Sequence, residues 1–422
     1  MCGKAVKAFA GPILAFVKNK GILWIFVIFI SGWSTVNIFI LLKNRYETDS
    51  TSIGISTAYS RWTNTFPSIG ICLIKSRINE AFSSAVRRRF PGQNIPYTYI
   101  KNIYEFVFRS RNNLSLKQLT CENLNSTCGV DILEMRRELF PTNCSDFLIE
   151  VCFAGKLIPD CEKIFKFHEL EMGYCFVANS FLDYDSTDKM PLHYSSLDKN
   201  KNLRLVLRSG QVYNYELYVQ SPEDLPYFNA ITYAVSLDPM VHSFNVEEIH
   251  NSEDVINEPV SQRMCKFPSE STIEGVPYSY STCMSILRGQ FEMQNCNCTL
   301  FSYEDSEDIC GMDNMECLGN EVTNEMKNYV ETNVACLPSC MEQQITNVGS
   351  FEDRSLLLKK GELIAEIHIA STPTVRYYRT VTQTKLDLIV GIGSVIGLFF
   401  GASLLNLFEI ISFLFKKFKS FL

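Results

Sequence analysis

"LDLIVGIGSVIGLFFGASLLNLFEIISFLFKKFKSFL", residues 386–422, decides how this chain is read. Its apolar run from Leu388 to Phe415 carries one charge, Glu409, and glycines at 393, 397 and 401. A soluble core helix avoids glycine, which costs about 1 kcal/mol relative to alanine at each interior position. A plain membrane anchor avoids glutamate, because an ionised side chain in hydrocarbon is costly and marks a functional position by default. Roughly 20 apolar residues span a bilayer core as a helix, and this run reaches that length. A second run of that kind, "ILWIFVIFISGWSTVNIFILL", extends from Ile22 to Leu42 without a charge. It is too long for a signal peptide, sits behind four lysines and is followed by no small-residue cleavage site.

Lysine sets the orientation. Lys4, Lys7, Lys18 and Lys20 precede the first run, Lys416, Lys417 and Lys419 follow the second, and neither flank holds an acid. The positive-inside rule puts both ends in the cytoplasm. The expected layout is a plasma-membrane protein with two spans: residues 1–21 cytoplasmic, 22–42 the first transmembrane helix, 43–385 extracellular, 388–415 a pore-lining second helix, and 416–422 cytoplasmic. Of the 16 cysteines only Cys2 lies inside, and the density of the others suits an oxidising compartment. Four glycosylation sequons also fall outside, at Asn113, Asn125, Asn143 and Asn297. The chain holds 39 basic and 46 acidic residues; setting aside the seven tail lysines and Glu409 leaves 32 and 45. That excess is either an ordinary solvated surface or a field that concentrates cations near a pore mouth.

Within the outside segment there is no internal repeat or low-complexity tract. "LRLVLRSGQVYNYELYVQ", residues 203–220, reads as two strands joined near Ser209-Gly210, and "ELIAEIHIA", residues 362–370, as another. "SSAVRRRF" and "DILEMRRELF" read as helices. Residues 265–340 are cysteine-dense, with helix-like stretches at 283–293 and 320–334. The expected fold class is therefore a membrane protein with two transmembrane helices and a large disulfide-rich α+β extracellular domain. Cys296-Asn-Cys298 and Cys336-x-x-x-Cys340 lack the paired C-x-x-C spacing of common zinc sites, so disulfides are expected and no metal. Five scattered histidines, with no H-E-x-x-H, G-x-S-x-G or phosphate loop, argue against an enzyme and against a cofactor. His168 and His368 read as structural, and no nucleic-acid partner is expected.

Four motifs in order narrow the class. "GLFFGASLLNLFE" resembles the second-helix signature of the degenerin/epithelial sodium channel (DEG/ENaC) family, Gly-x-Ser followed by a glutamate. "FPSIGIC" (Phe66–Cys72) resembles the family's stretch after the first helix, and "MGYCFVAN" (Met172–Asn179) its G-x-C-x-x-F-N segment, with Ala178 where an aromatic is usual. "SQRMCKF" and "YSTC" are similar to the insect pickpocket branch. The resemblance implies pairing of Cys72–Cys175, Cys152–Cys161, Cys265–Cys340, Cys283–Cys336, Cys296–Cys317 and Cys298–Cys310. The last four nest as rungs of a helical hairpin. Leu287 and Val334 stand where the family has one more rung, and Cys121, Cys128 and Cys144 are left over, two of them expected to pair. Two family features are replaced. No histidine precedes His168, so the cytoplasmic His-Gly pair is absent and Ala10-Gly11 is the nearest candidate. Arg263 and Met264 stand where an aromatic usually precedes Cys265, whose partner tyrosine would be Tyr46.

The resemblance gives the glycines a role. Gly393 and Gly397 are explained by close helix packing in lipid, where small residues at every fourth position let helices approach. Gly401-Ala402-Ser403 is expected to be a selectivity filter, where opened backbone and a hydroxyl replace part of a cation's hydration shell. Glu409 and Asp387 would form charged rings along the pore. Val390 or Gly391 would be the site at which enlarging a small residue locks the family open. The expected function is a subunit of a trimeric, amiloride-sensitive, sodium-selective channel, homomeric or heteromeric, in contact with lipid and gated by an extracellular or mechanical stimulus. A non-conducting accessory or receptor subunit is the rival that the missing His-Gly pair keeps open. ATP-gated two-helix channels share the layout but lack Gly-x-Ser before a glutamate.

Overall fold

The computed structural model describes most of residues 20–103, 140–303 and 336–401, with a few further positions among 309–329 and 408–413. Uncharged and free of proline, the first apolar run lies inside a single helix, α1 (Lys20–Thr48). Within it Trp24–Thr48, with a mean hydropathy of 2.2, is long and apolar enough to cross a membrane, and its side chains are not buried by the rest of the chain. Helix α2 (Glu80–Arg89) covers the predicted "SSAVRRRF" segment. The second predicted helix, "DILEMRRELF", and most of 320–334 lie outside the described residues.

The chain divides into two units. The first comprises residues 1–53, 252–263 and 379–422, and the second residues 54–251 and 264–378. The first holds α1, a C-terminal helix, and two short helical turns at Glu253–Ile256 and Val260–Arg263. Arg263 is 3 % exposed, and its Nη1 donates to the Ile256 carbonyl at 3.2 Å. Met264, the neighbour of Cys265, is exposed and has a left-handed backbone, with φ 53°.

Two sheets hold most of the strands, the larger drawing part of β1 and β15 from residues of the first unit. One has eight strands: β1 (Thr51–Ser56), β15 (Arg376–Val381), β12 (Met240–Asn251), β14 (Glu362–Ser371), β9 (Asn202–Arg208), β4 (Leu148–Phe153) and β5 (Lys156–Ile158) in that order, with β13 (Gln343–Glu352) also paired to β12. The other has five: β11 (Thr232–Ala234), β10 (Asn214–Gln220), β3 (Ser68–Ile74), β7 (Gly173–Ala178) and β6 (Phe165–Leu170). A small ribbon pairs β2 (Thr63–Thr65) with β8 (His193–Ser195). The two predicted strands within 203–220 both exist, but they do not pair with each other. β9 pairs with β14 and β4, whereas β10 pairs with β3 and β11. Alternation explains the split: Leu203, Leu205 and Leu207 of β9 and Tyr215, Leu217 and Val219 of β10 enter one shared core from different sheets. Phe147 and Phe176 meet there with ring centroids 4.7 Å apart.

Disulfides fix this arrangement. Cys72 and Cys175 face each other across β3 and β7, with Cα atoms 4.1 Å apart. Cys265–Cys340, Cys283–Cys336, Cys296–Cys317 and Cys298–Cys310 are bonded, with Cα separations of 5.0, 5.7, 5.7 and 4.9 Å. The expected Cys152–Cys161 bond is not formed. Cys161 pairs instead with Cys144, Cα atoms 6.1 Å apart, and Cys152 is a free thiol. Hairpin geometry is the reason. β4 and β5 are antiparallel, with Cys152 opposite Leu157 near the hairpin tip. Cys144 precedes β4 and Cys161 follows β5, so both sit at the open end. Cys152 thus faces Leu157 inside the hairpin, while Cys161 lies beyond the end of β5. Cys121 and Cys128 lie outside the described residues.

Helix α3 (Tyr280–Cys296) starts with a reciprocal cap between Ser279 and Thr282 and ends at Asn297, whose left-handed φ of 55° suits an asparagine. Leu287, one turn after Cys283, is buried, while Val334 lies outside the described residues. Arg288 of α3 is held by Glu171 at 2.6 Å and Glu292 at 2.8 Å, tying the helix to the β6–β7 turn. Asn143 and Asn297 are exposed, as glycan acceptors must be; Asn113 and Asn125 lie outside the described residues.

A second buried charge joins β15 to β12. Arg376 Nη2 donates to Glu248 Oε2 at 2.7 Å and to Asn64 Oδ1 at 3.0 Å, and the guanidinium stacks 4.5 Å from the Trp62 ring. The Thr65 N–H and Gln343 Nε2 donate to Glu248 Oε1, and His250 Nε2 lies 3.0 Å from Oε2. Burial alone would raise the Glu248 carboxyl; the His250 contact, the Arg376 charge and the Thr65 N–H outweigh it and hold the carboxyl below its ordinary value. Breaking one partner of a buried ion pair costs about 3–5 kcal/mol. Arg376→Met in the full-length protein in detergent should therefore lower its thermal unfolding temperature markedly. The linkage has a sign: a depressed carboxyl stabilises fully above the ordinary glutamate value of 4.5 and loses that contribution as pH falls through its lower folded value. The stability gap between wild type and Glu248→Gln should close as the pH is taken below that value; a gap constant with pH would remove the ion pair from the account. For the disulfide, Cys144→Ser or Cys161→Ser should cost about 3 kcal/mol, whereas Cys152→Ser should leave stability unchanged, as read by the same melt.

Candidate functional site

Helix α4 (Lys385–Phe400) carries the candidate residues, and its start is firmly fixed. Thr384 Oγ1 accepts from the Asp387 N–H at 3.2 Å, and Asp387 Oδ2 accepts from the Thr384 N–H at 2.9 Å and from its hydroxyl at 2.8 Å. Thr384 is thus the N-cap and Asp387 its capping-box partner, which remains exposed. Just upstream, the Thr382 N–H donates to the Ser50 carbonyl at 2.8 Å, tying the entrance of α4 to the exit of α1.

The two helices pack along a defined line. The Cβ position of Gly391 lies 3.5 Å from Leu42 Cδ1. Below that contact an apolar groove of about 140 Å³ is lined by Thr35, Val36, Phe39, Leu42, Ile392, Val395 and Ile396. At 100° per residue, these α4 positions lie roughly opposite Gly393, Gly397 and Gly401. Gly393 accordingly has no atom within 4 Å of its Cβ position. The glycine face is thus turned away from α1.

Val390 and Gly391, adjacent in sequence, are separated by this geometry. Gly391 faces α1, and Val390 is 58 % exposed on the glycine side. Asp387, Val390, Ser394, Gly397 and Gly401 follow spacings of three and four, and so form one stripe down α4. Ser394 was not singled out from the sequence. Its signal is that spacing; it is exposed and satisfies its own hydroxyl by donating to the Val390 carbonyl at 2.7 Å.

The stripe ends at a break. Gly401 caps α4 in the left-handed conformation, with φ 61° and ψ 18°. Sixteen residues make about 24 Å of helix, shorter than a bilayer core of about 30 Å. A helix C-terminus leaves carbonyls without intrahelical partners and concentrates negative potential, which favours cations. Glu409 is exposed beyond the break, whereas Ala402 and Ser403 lie outside the described residues.

The chain's likenesses can now be set beside this geometry. A family model described as "Amiloride-sensitive sodium channel" matches residues 10–413. The chain is 20 % identical to Pickpocket protein 19 of Drosophila melanogaster, over 92 % of this chain and 84 % of that one. It is 21 % identical to Sodium channel protein Nach of Drosophila virilis, over 64 % of this chain and 75 % of that protein. Identity to the Nach protein of Drosophila melanogaster is 22 %, over 64 % and 58 % of the two chains.

Two substitutions read the site. Gly401→Ala adds a methyl group at a left-handed residue, at about 1–2 kcal/mol, and favours continuing the helix. Surface delivery should persist while any current carried by the protein falls at least tenfold in whole-cell recording. Gly391→Val drives a branched side chain into Leu42 and should weaken packing of α4 on α1, whereas Val390→Phe should not. Thermal stability of the purified protein separates the two.

Proposed function

This chain belongs to the amiloride-sensitive sodium channel (DEG/ENaC) family, and on that premise we propose that it is a pore-forming subunit of a trimeric, sodium-selective cation channel in the plasma membrane. Family members are ion channels and not enzymes, which fits the absence of any catalytic motif in the sequence. In this reading both termini are cytoplasmic, residues 388–415 make the second span, and amiloride blocks the current. Channels of this type assemble with related subunits, so the trimer is homomeric or heteromeric. An extracellular or mechanical stimulus opens it.

The observation that carries the reading is the stripe Asp387–Val390–Ser394–Gly397–Gly401, turned away from α1 and ending in a broken helix. Irregular backbone at membrane depth is tolerated only where it is buried in protein or lines water. Three copies of α4 around an axis would satisfy both conditions. Backbone carbonyls at the end of α4, with Ala402 and the Ser403 hydroxyl, then coordinate a partly dehydrated sodium ion. Glu409 lies beyond them as an acidic ring, and Asp387 forms a second ring at the outer mouth. Val390 is the gating position in this scheme, because its side chain points where three helices converge. Gly391 points at its own chain's α1.

A second reading, a non-conducting accessory subunit, is favoured by one feature: no histidine precedes His168, so the His-Gly pair before the first helix is absent. Expression alone and beside related subunits separates the two. Ser403→Leu should change the sodium-to-potassium permeability ratio or abolish current while surface expression persists. Normal current with an unchanged reversal potential would take Ser403 out of the filter. Val390→Phe should give a standing current in a partner-competent background, and silence there would remove Val390 from the gate.

A further inference from the structure

A cleft of about 560 Å³ lies between α3 and the chain that follows it, and conduction through α4 gives it no role. Spacings of three and four put Ile286, Gly289, Gln290 and Met293 on one face of α3, which forms one wall. Phe301 and Tyr303 form the other, edge to face with ring centroids 4.8 Å apart. Gly289 sets the distance between the walls. A Cβ there would stand 3.4 Å from Thr299 Oγ1 and 3.6 Å from the Phe301 carbonyl, so a larger residue would push the second wall off the helix. That wall is also held from behind. The Thr299 hydroxyl and the Leu300 N–H each donate to Glu292 Oε2 at 3.0 Å, and the Cys298–Cys310 bond closes the loop. A cleft with walls already fixed needs little ordering when a ligand enters.

The lining decides what fits. The described residues that line the cleft carry no charge. Two carboxylates stand behind the α3 wall, and both are already committed. Glu171 accepts from Arg288 at 2.6 Å, from the Ser285 hydroxyl at 2.7 Å and from the Phe228 N–H at 3.2 Å. Glu292 accepts from Arg288 Nε at 2.8 Å and from Thr299 and Leu300. A cation would find these oxygens occupied, and an anion would face two carboxylates against one guanidinium. A charged group that enters without a partner bears the cost of leaving water. The inner hydroxyls are committed in the same way, because Ser285 and Thr299 are buried and donate to those carboxylates. What remains is aromatic and aliphatic surface inside, with the exposed carboxamides of Gln290 and Gln294 along the helix, each offering donors and an acceptor.

We propose that this cleft binds a neutral, amphipathic small molecule, its aromatic or aliphatic body between α3 and Phe301 and a hydroxyl or carbonyl group at Gln290 and Gln294. The volume is that of pockets which take drug-sized ligands, and so is the lining, many apolar groups with a few polar ones that fix orientation. The site does not depend on whether the chain conducts. It does touch the contact that ties α3 to the β6–β7 turn, because Ser285 both lines the cleft and donates to Glu171.

The test uses para-hydroxymethylbenzophenone, a neutral photoreactive probe with an aromatic body, a carbonyl and a hydroxyl, on the full-length protein in cell membranes. Irradiation and peptide mapping should find adducts in α3 or in residues 299–303, rising to saturation with probe concentration. Gln290→Trp and Met293→Trp, which fill the cleft, should each abolish those adducts while labelling elsewhere in the chain persists. On the wild-type chain, para-benzoylbenzoate and a benzophenone bearing a quaternary ammonium should each label the cleft roughly tenfold less or weaker still, as a charge without a partner requires. No saturable adduct in α3 or residues 299–303, or adducts there that survive both tryptophan variants, would overturn the site. Labelling of the cleft by either charged probe equal to that by the neutral one would overturn the ligand class. The three-probe comparison needs no variant, so it decides the matter even where a tryptophan disturbs folding.

Discussion

A helix that stops inside an apolar segment must have its last carbonyls answered by something, and Gly401 stops α4 in this way. Only a residue without a Cβ adopts φ 61° at no steric cost. The sequence runs on, mostly apolar, for seven residues, 402–408, before Glu409. In hydrocarbon that combination is tolerated only against protein or water. The placement of α1 turns the constraint into a functional one. Because α1 occupies the Gly391 side of α4, the stripe leading to the break lies on the side of α4 turned away from α1.

The second unit is built for rigidity. Among the described residues, five of the six bonded cysteine pairs lie in the β3–β7 pair or in the region of α3, and buried ion pairs add to them. Arg288 lies between two carboxylates, and Arg376 is held by Glu248, Asn64 and Trp62. Charges this buried contribute little net stability when paired and cost several kcal/mol (about 3–5) when orphaned. They therefore select one arrangement of the strands more than they strengthen it. Arg376 is itself the first residue of β15.

Much of this was legible because it is local. Apolar length announced α1, and alternation announced β14 and the strands within 203–220. What was not legible depends on which elements meet. Alternation assigns each residue of β9 and β10 to a face but not to a sheet, so their separation across the core was invisible. Cys144, Cys152 and Cys161 lie close in sequence, and only the β4–β5 hairpin reveals that the outer two share its open end. The same holds at the site. A repeat of glycines at every fourth residue names a face without naming its neighbour. Only the Leu42 contact shows that Gly391 belongs to the packing line and that Val390 and Ser394 belong to the stripe. The sequon asparagines Asn143 and Asn297 are exposed, as the sequence pattern expects of a surface position.

The central claim is that sodium crosses the membrane along the exposed stripe of α4. The most direct measurement is whole-cell current from cells that express this chain at the surface, alone and with related subunits, as external sodium is replaced by a large impermeant cation. The account predicts an amiloride-sensitive inward current that collapses on replacement, with a reversal potential that shifts negative. Verified surface protein with no such current in any combination, or a reversal potential that ignores external sodium, would contradict it.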